Sequence, residues 1–193
     1  MVQTPSTMPE LGMKAPDFSL PEPATGKVVS RDDFADAEAL LVVFMSNHCP
    51  YVKHIAQGLA DFQREYGPRG LAMVGICAND AANYPDDAPP MMAEEVRKRG
   101  YGFPYLFDDS QEVAKAYRAA CTPDFFLFDR TRSLVYRGQF DASRPGSETP
   151  VTGADMRAAA DAVLAGRAPE VEQTPSVGCN IKWKPGNNPP WFG

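Results

Sequence analysis

The sequence predicts an α/β protein in which a central mixed β-sheet is flanked by helices. Three observations carry that expectation. Between residues 40 and 120, apolar runs of strand length alternate with stretches of helical periodicity. An apolar hairpin then pairs 125–128 with 134–136, and a helix over 152–166 closes the pattern. The two ends, 1–14 and 167–193, show neither period, which divides the chain into an N-terminal arm (1–14), one α/β domain (15–166) and a C-terminal tail packing on the domain (167–193).

Within the domain, Phe18 and Leu20 alternate inward in a short extended segment, with Val28 and Val29 as hairpin partner. Ser30 is placed to cap a short helical turn through Phe34. Leu40 to Met45 has no polar interruption and ends in β-favouring residues, as a strand covered on both faces should. Val52, Ile55, Ala56, Leu59, Phe62 and Tyr66 then fall at helical spacing, with Lys53, His54 and Gln57 off that face; Gly67 and Pro68 mark the stop. Leu71–Cys77 reads as a second buried strand and 79–92 as a turn-rich loop. A helix follows over Pro90–Lys98, then a strand at Tyr105–Phe107. Asp109 and Glu112 suggest a capping box for a helix to Ala120 that points Val113, Ala116, Tyr117 and Ala120 inward. Thr152 is placed to cap the last helix, with Met156, Ala159, Ala160, Val163 and Leu164 inward. The tail has no period, yet it holds both tryptophans, Trp183 and Trp191.

A net charge of −6 over 193 residues argues against a nucleic-acid or anionic-membrane surface. No apolar run approaches the ~20 residues of a membrane span. The opening residues lack the charged-then-apolar pattern of a signal peptide, so a cytoplasmic location is expected. Cys49, Cys77, Cys121 and Cys179 are irregularly spaced, with no Cys-x-x-Cys pair and no common zinc pattern. No cofactor is expected.

The chemistry gathers where the first buried strand meets the first helix, in LVVFMSNHCPYVK. Pro50 suits the first helical position, which puts Cys49 at the N-cap. There the unpaired backbone N–H groups and the helix dipole favour a thiolate, open to oxidant and reductant. The alternative for Cys49 is a small buried hydrophobe.

FMSNHCPYVK resembles the thioredoxin active-site segment, with Cys49 at the first cysteine of Cys-x-x-Cys and Val52 at the second; Cys-Pro-Tyr also resembles the glutaredoxin motif. CTPDFFLFD resembles the loop that carries the cis-proline of that fold, here Pro123. Taken together, NHCPYVK, CTPDFFLFD, YRGQFD and PSVGCNIKWK resemble a peroxiredoxin-like branch of the alkyl hydroperoxide reductase/thiol-specific antioxidant (redoxin) superfamily, over roughly residues 12–184. Ser46 stands three residues before Cys49, where that resemblance places a Thr or Ser, while Thr122 stands where it places an Arg.

The resemblance implies a thioredoxin-like fold and a thiol-based oxidoreductase or antioxidant enzyme. Cys49 would attack a disulfide or peroxide, with a small-molecule oxidant or protein disulfide as partner and a thioredoxin- or glutathione-type thiol as reductant. The intermediate would be resolved by Cys121, by Cys179 or by the external thiol. Against these roles stand plain ones: Cys121 as a buried helix-ending residue, Cys179 as a packed or exposed tail residue, and Cys77 as core filler. His48 would tune the Cys49 thiol or pass a proton, or else pack at the surface. Arg137 and Arg144 would line an anionic pocket. Two other functions compete: a non-catalytic thioredoxin-fold binding module using the 83–92 loop and the tail, and a soft-metal site on Cys49, Cys121, Cys179 and a histidine.

Overall fold

The computed structural model describes residues 3–170 and 172–192. In chain order its elements are β1 (Gln3–Pro5), β2 (Ser19–Glu22), β3 (Lys27–Ser30), β4 (Ala39–Phe44), α1 (Pro50–Tyr66), β5 (Leu71–Cys77), α2 (Pro89–Arg99), β6 (Tyr105–Phe107), α3 (Glu112–Ala116), β7 (Cys121–Thr122), β8 (Asp124–Phe128), β9 (Leu134–Tyr136), α4 (Ala154–Leu164) and β10 (Val177–Asn180). Short 3-10 turns cover Arg31–Phe34, Gly67–Arg69 and Pro85–Asp87.

The main sheet runs β6-β5-β4-β8-β9. It is mixed: β5 is parallel to β4 and β6, whereas β8 is antiparallel to β4 and β9. Every residue of β4 is fully buried, because apolar side chains cover both faces of that central strand. On one face α1 and α4 set Val52, Ile55, Leu59, Phe62, Met156 and Val163 against Leu41, Val43 and Leu127. On the other, Phe18, Leu20, Tyr117, Ile181 and Trp183 pack on Leu40, Val42, Phe44 and Phe126. Each fully buried side chain of this size contributes roughly 1.5–3 kcal/mol. The architecture is the expected thioredoxin-like one.

A second, three-stranded sheet, β1-β10-β7, joins both ends of the chain to the domain. It departs from the sequence reading, in which the ends carry no strand. β10 is held at both its ends: Gln139 N–H donates to Thr174 O at 2.8 Å ahead of it, and Ile181 N–H to Ala120 O at 3.1 Å after it. Ile181 and Trp183 then anchor the tail in the second core.

Local departures have local causes. α3 has only five residues and begins after Gln111, whose φ of 66° lies in the left-handed region. The Asp109–Glu112 capping box does not form; Asp108 Oδ2 instead accepts the Ala114 N–H at 2.9 Å. The shorter helix buries Ala114 and leaves Ala116 exposed, reversing that expectation. α2 begins one residue earlier and ends one later than read. At α4 the N-cap is Gly153 rather than Thr152, and Asp141 Oδ2 accepts the N–H groups of Thr152 and Gly153 at 2.8 and 2.6 Å. None of the helices described is long and apolar enough to cross a membrane.

Candidate active site

Cys49 is the N-cap of α1, in extended backbone, with Pro50 at the first helical position. The geometry of the turn is as read from the sequence; the surroundings of the sulfur are not. Cys49 is 0% exposed and its Sγ caps no helix N–H. Instead the thiol donates to the Thr122 carbonyl at 3.0 Å. Thr122 precedes Pro123 through a cis peptide bond, so the turn after β4 and the loop before β8 meet at one point. The Ser46 and Thr122 hydroxyls lie 3.5 Å apart beside it.

The register of the small sheet decides which sulfur faces Cys49. Cys179 of β10 pairs with Thr122 on one side and with Gln3 of β1 on the other. Residues directly opposite one another put their side chains on the same face, and neighbours along a strand alternate. Cys179 therefore shares the face of Thr122 and joins Cys49 in one buried cluster. Burial first, and then the neighbouring Cys49 thiol, push the Cys179 thiol up to about 12. Cys121, one residue before Thr122, takes the opposite face, where its Sγ meets the carbonyls of Pro123 at 3.5 Å and Ser176 at 3.9 Å. Burial and then Asp124 hold the Cys121 thiol well above its ordinary value. Cys77 ends β5 fully buried, as core.

These four cysteines are thiols rather than disulfide halves, and Cys49 and Cys179 are enclosed. Cys179 is 3% exposed, and Gln3 Nε2 donates to the Tyr51 hydroxyl at 2.6 Å, linking β1 to the first turn of α1. The N–H of Ser6 donates to Ser176 O at 2.8 Å, and the Ser176 hydroxyl to Pro123 O at 2.6 Å.

His48 does not stand free beside Cys49. Its Nδ1 is 2.6 Å from Asp87 Oδ2, and its ring stacks on Tyr84 with centroids 5.4 Å apart. Asp87 is completely buried. Burial pushes its carboxyl up, but hydrogen bonds from His48, Asn79 and Asn47 outweigh that and hold it below the ordinary carboxylate range. His54 turns to the Ser143 hydroxyl at 3.0 Å. The anionic pocket expected of Arg137 and Arg144 is not formed. Arg137 binds Pro9 O and Gln173 Oε1, and Arg144 binds Gln139 Oε1 and the carbonyls of Asp141 and Ser143. Among the described residues no group of His, Cys, Asp or Glu is arranged to hold a metal ion.

Sequence reasoning missed Asp87, Asn79 and Gly178. Asp87 lies in a turn-rich stretch whose one signal was its place at the carboxyl end of a parallel strand, where sites gather in open α/β sheets.

A family model described as the AhpC/TSA family matches residues 11–137. The chain belongs to the AhpC/TSA family. A solved structure titled an uncharacterized conserved protein from Geobacillus kaustophilus is 49% identical, covering 96% of this chain and 98% of its own at a TM-score of 0.94. A hypothetical protein from Sinorhizobium meliloti 1021 is 54% identical over 95% of this chain and 100% of its own, at 0.93. Peroxidoxin BcpB from Mycobacterium tuberculosis shares the fold at 20% identity, covering 81% of this chain and 97% of its own, with a TM-score of 0.60. No curated protein matches the sequence. AhpC/TSA membership accounts for the main sheet, α1 and the cis-proline loop. The family match ends at residue 137, well before the tail that carries Cys179.

Proposed function

We propose that this AhpC/TSA protein is a dithiol–disulfide oxidoreductase whose redox couple is Cys49 and Cys179. The observation that carries the reading is that Thr122 brings the two residues together: its carbonyl accepts the Cys49 thiol at 3.0 Å and Cys179 lies opposite it in the small sheet, with Cys121 turned to the other face. Val52 fills the place of a second helix cysteine as a buried core residue, so the partner thiol comes from the tail.

In the reducing direction the Cys49 thiolate attacks one sulfur of a substrate disulfide. A Cys49–substrate S–S bond forms and the other substrate sulfur leaves as a thiolate, taking a proton. The Cys179 thiolate then attacks the Cys49 sulfur and releases the second substrate thiol. The protein ends as the Cys49–Cys179 disulfide, having given up two electrons and two protons. An external thiol of the glutathione or thioredoxin type returns it to the dithiol. Both thiols are enclosed in the resting form, so turnover begins with a local opening of the small sheet.

The test is titration of the reduced protein with oxidised glutathione, followed by alkylation and mass mapping. The expected product is a Cys49–Cys179 disulfide. Cys49→Ser abolishes it, Cys179→Ser stops at a Cys49–glutathione mixed disulfide, and Cys121→Ser leaves it intact. Loss of the disulfide in Cys121→Ser with retention in Cys179→Ser would overturn the assignment. Thiols that stay reduced throughout would favour the binding-module reading. Hydrogen peroxide in place of glutathione disulfide distinguishes a peroxidase from a disulfide reductase.

A further inference from the structure

Asp87 sits on the 3-10 turn Pro85–Asp87 and is 0% exposed. Its Oδ1 accepts the Asn47 N–H at 2.6 Å, and its Oδ2 engages His48 Nδ1 at 2.6 Å and accepts from Asn79 Nδ2 at 2.8 Å. Asn47 and His48 are the two residues that lead into Cys49. Asn79 continues the connection: its Oδ1 accepts the Lys182 N–H at 2.8 Å, and the Asp80 N–H donates to Lys182 O at 2.8 Å. Lys182 lies three residues beyond Cys179. One carboxylate is thus joined directly to the turn that carries the first sulfur and, through one amide, to the tail that carries the second.

We infer that Asp87 is the positioning residue of the Cys49–Cys179 pair, setting the turn before α1 and the seat of β10 from a single buried anchor. The inference rests on the redox couple proposed above. A charge is suited to the task. A carboxylate offers acceptor positions to three donors at once, and hydrogen bonds to an ionised acceptor are about twice as strong as neutral ones. An amide in its place would turn an NH2 group toward the Asn47 N–H, the imidazole or Asn79, and at least one donor would lose its partner. His48 then acts as a strut. Its Nδ1 is committed to Asp87 and its ring to the face of Tyr84. Asp87 touches neither reacting atom. Its effect is on how often the two sulfurs stand within bonding distance, which is the effective concentration of one thiol at the other.

The measurable quantity is the equilibrium constant for protein dithiol plus glutathione disulfide going to protein disulfide plus two glutathione thiols, read by alkylation in glutathione buffers of varied ratio. Asp87→Asn is expected to lower it by about ten-fold or more, the size of a coupling of about 1.4 kcal/mol. Asn79→Ala should lower it in the same direction through the tail alone. Adding Asn79→Ala to Asp87→Asn should cost less than the two separate effects combined, because both break one connection. Val163→Ala, in α4 beside Glu38 and Arg130 and so at the end of β4 away from Cys49, is the control for a purely structural loss. It should lower the unfolding midpoint and leave the thiol equilibrium unchanged.

An Asp87→Asn protein that resembles Val163→Ala, less stable but with the wild-type equilibrium constant, would overturn the inference. If Asp87→Asn does not fold, an unchanged equilibrium in Asn79→Ala does the same. A wild-type protein that forms no Cys49–Cys179 disulfide at any glutathione ratio removes the proposed couple, and the pair to be positioned with it. A wild-type disulfide that is indifferent to both substitutions removes the role of Asp87 alone.

Discussion

Gly178 seats the tail on the peptide that precedes Pro123. A Cβ at that position would lie 1.9 Å from the Thr122 carbonyl oxygen and 2.6 Å from its carbon, and both are backbone atoms with no rotamer to change. Gly178→Ala therefore forces β10 away from β7, an overpacking that costs typically 1–3 kcal/mol. The same displacement should open both sulfurs, so alkylation of Cys49 and Cys179 in the native protein should speed up together. A stable Gly178→Ala protein with wild-type alkylation rates would show that β10 does not cover the pair. Asp124, the first residue of β8, is fully buried, and burial raises its carboxyl to about 7. Because the folded-state value lies above the unfolded one, the folded protein holds a proton between about pH 4 and pH 7 that the unfolded chain has lost. Stability attributable to this group is present below pH 4 and falls as pH rises through that window, by up to ~1.4 kcal/mol per pH unit. Asp87 and Asp141 have the opposite sign. Their carboxyls are held below the ordinary value, so the stability they lend is present above pH 4 and is lost in more acid solution. Urea midpoints from pH 4.5 to 7.5 should accordingly show a decline in the wild type that Asp124→Asn removes, about one unit either side of the group's transition.

The elements differ in how much of themselves they show in the sequence. β4, β5 and β6 were legible because strands covered on both faces need unbroken apolar runs, and α1 because its buried stripe repeats at helical spacing. Cys49 as N-cap followed from Pro50, and the cis bond at Pro123 from the likeness of its loop to a known one. α3 misled because alternate alanines give no apolar stripe: the chain enters the helix through a left-handed Gln111, and Ala114 rather than Ala116 turns inward. β1 and β10 were invisible for a different reason. They have three and four residues, and they exist because Gln3 finds Cys179 across almost the whole chain and Cys179 finds Thr122. No local propensity records such a pairing. Asp87 is similar, since its contacts depend on Asn47 and His48 reaching it from another loop and on Asn79 from its own. The start of α1 makes its own prediction. Val52 is 3% exposed in the core and stands three residues after Cys49. Val52→Cys removes little volume and should destabilise by roughly 0.5–1.5 kcal/mol, as for loss of one buried methyl group. In a Cys179→Ser background it should restore an intramolecular disulfide with Cys49, read as loss of two alkylatable thiols after oxidation. Persistence of the mixed disulfide in that double variant would mean that this helix start lacks the geometry of a Cys-x-x-Cys turn.

At the scale of the whole molecule, strands from near both ends of the chain, β1 and β10, join β7, whose Thr122 accepts the Cys49 thiol. β10 is fastened on either side, by Thr174 and by Ile181 through Lys184, so the tail does not lift as a free flap. β1 is the outer strand and is held by less: its pairing with β10, the Gln3–Tyr51 bond, and then the Ser6 N–H on Ser176 and the Thr7 hydroxyl on Arg118 O. Opening should begin there. The dependence of Cys49 alkylation on urea distinguishes a local opening from complete unfolding, because the slope scales with the surface exposed. For the full chain, alkylation in low urea should rise with a slope well below that of global unfolding. Removing residues 1–8 should raise the rate in water and flatten the slope further, while the unfolding midpoint moves little, since none of the described residues among them belongs to either core cluster. A slope equal to that of global unfolding, unchanged by the deletion, would mean that the sulfurs meet reagent only in the unfolded chain. The Cys49–Cys179 pair would then be a feature of packing, and no catalytic cycle would pass through it.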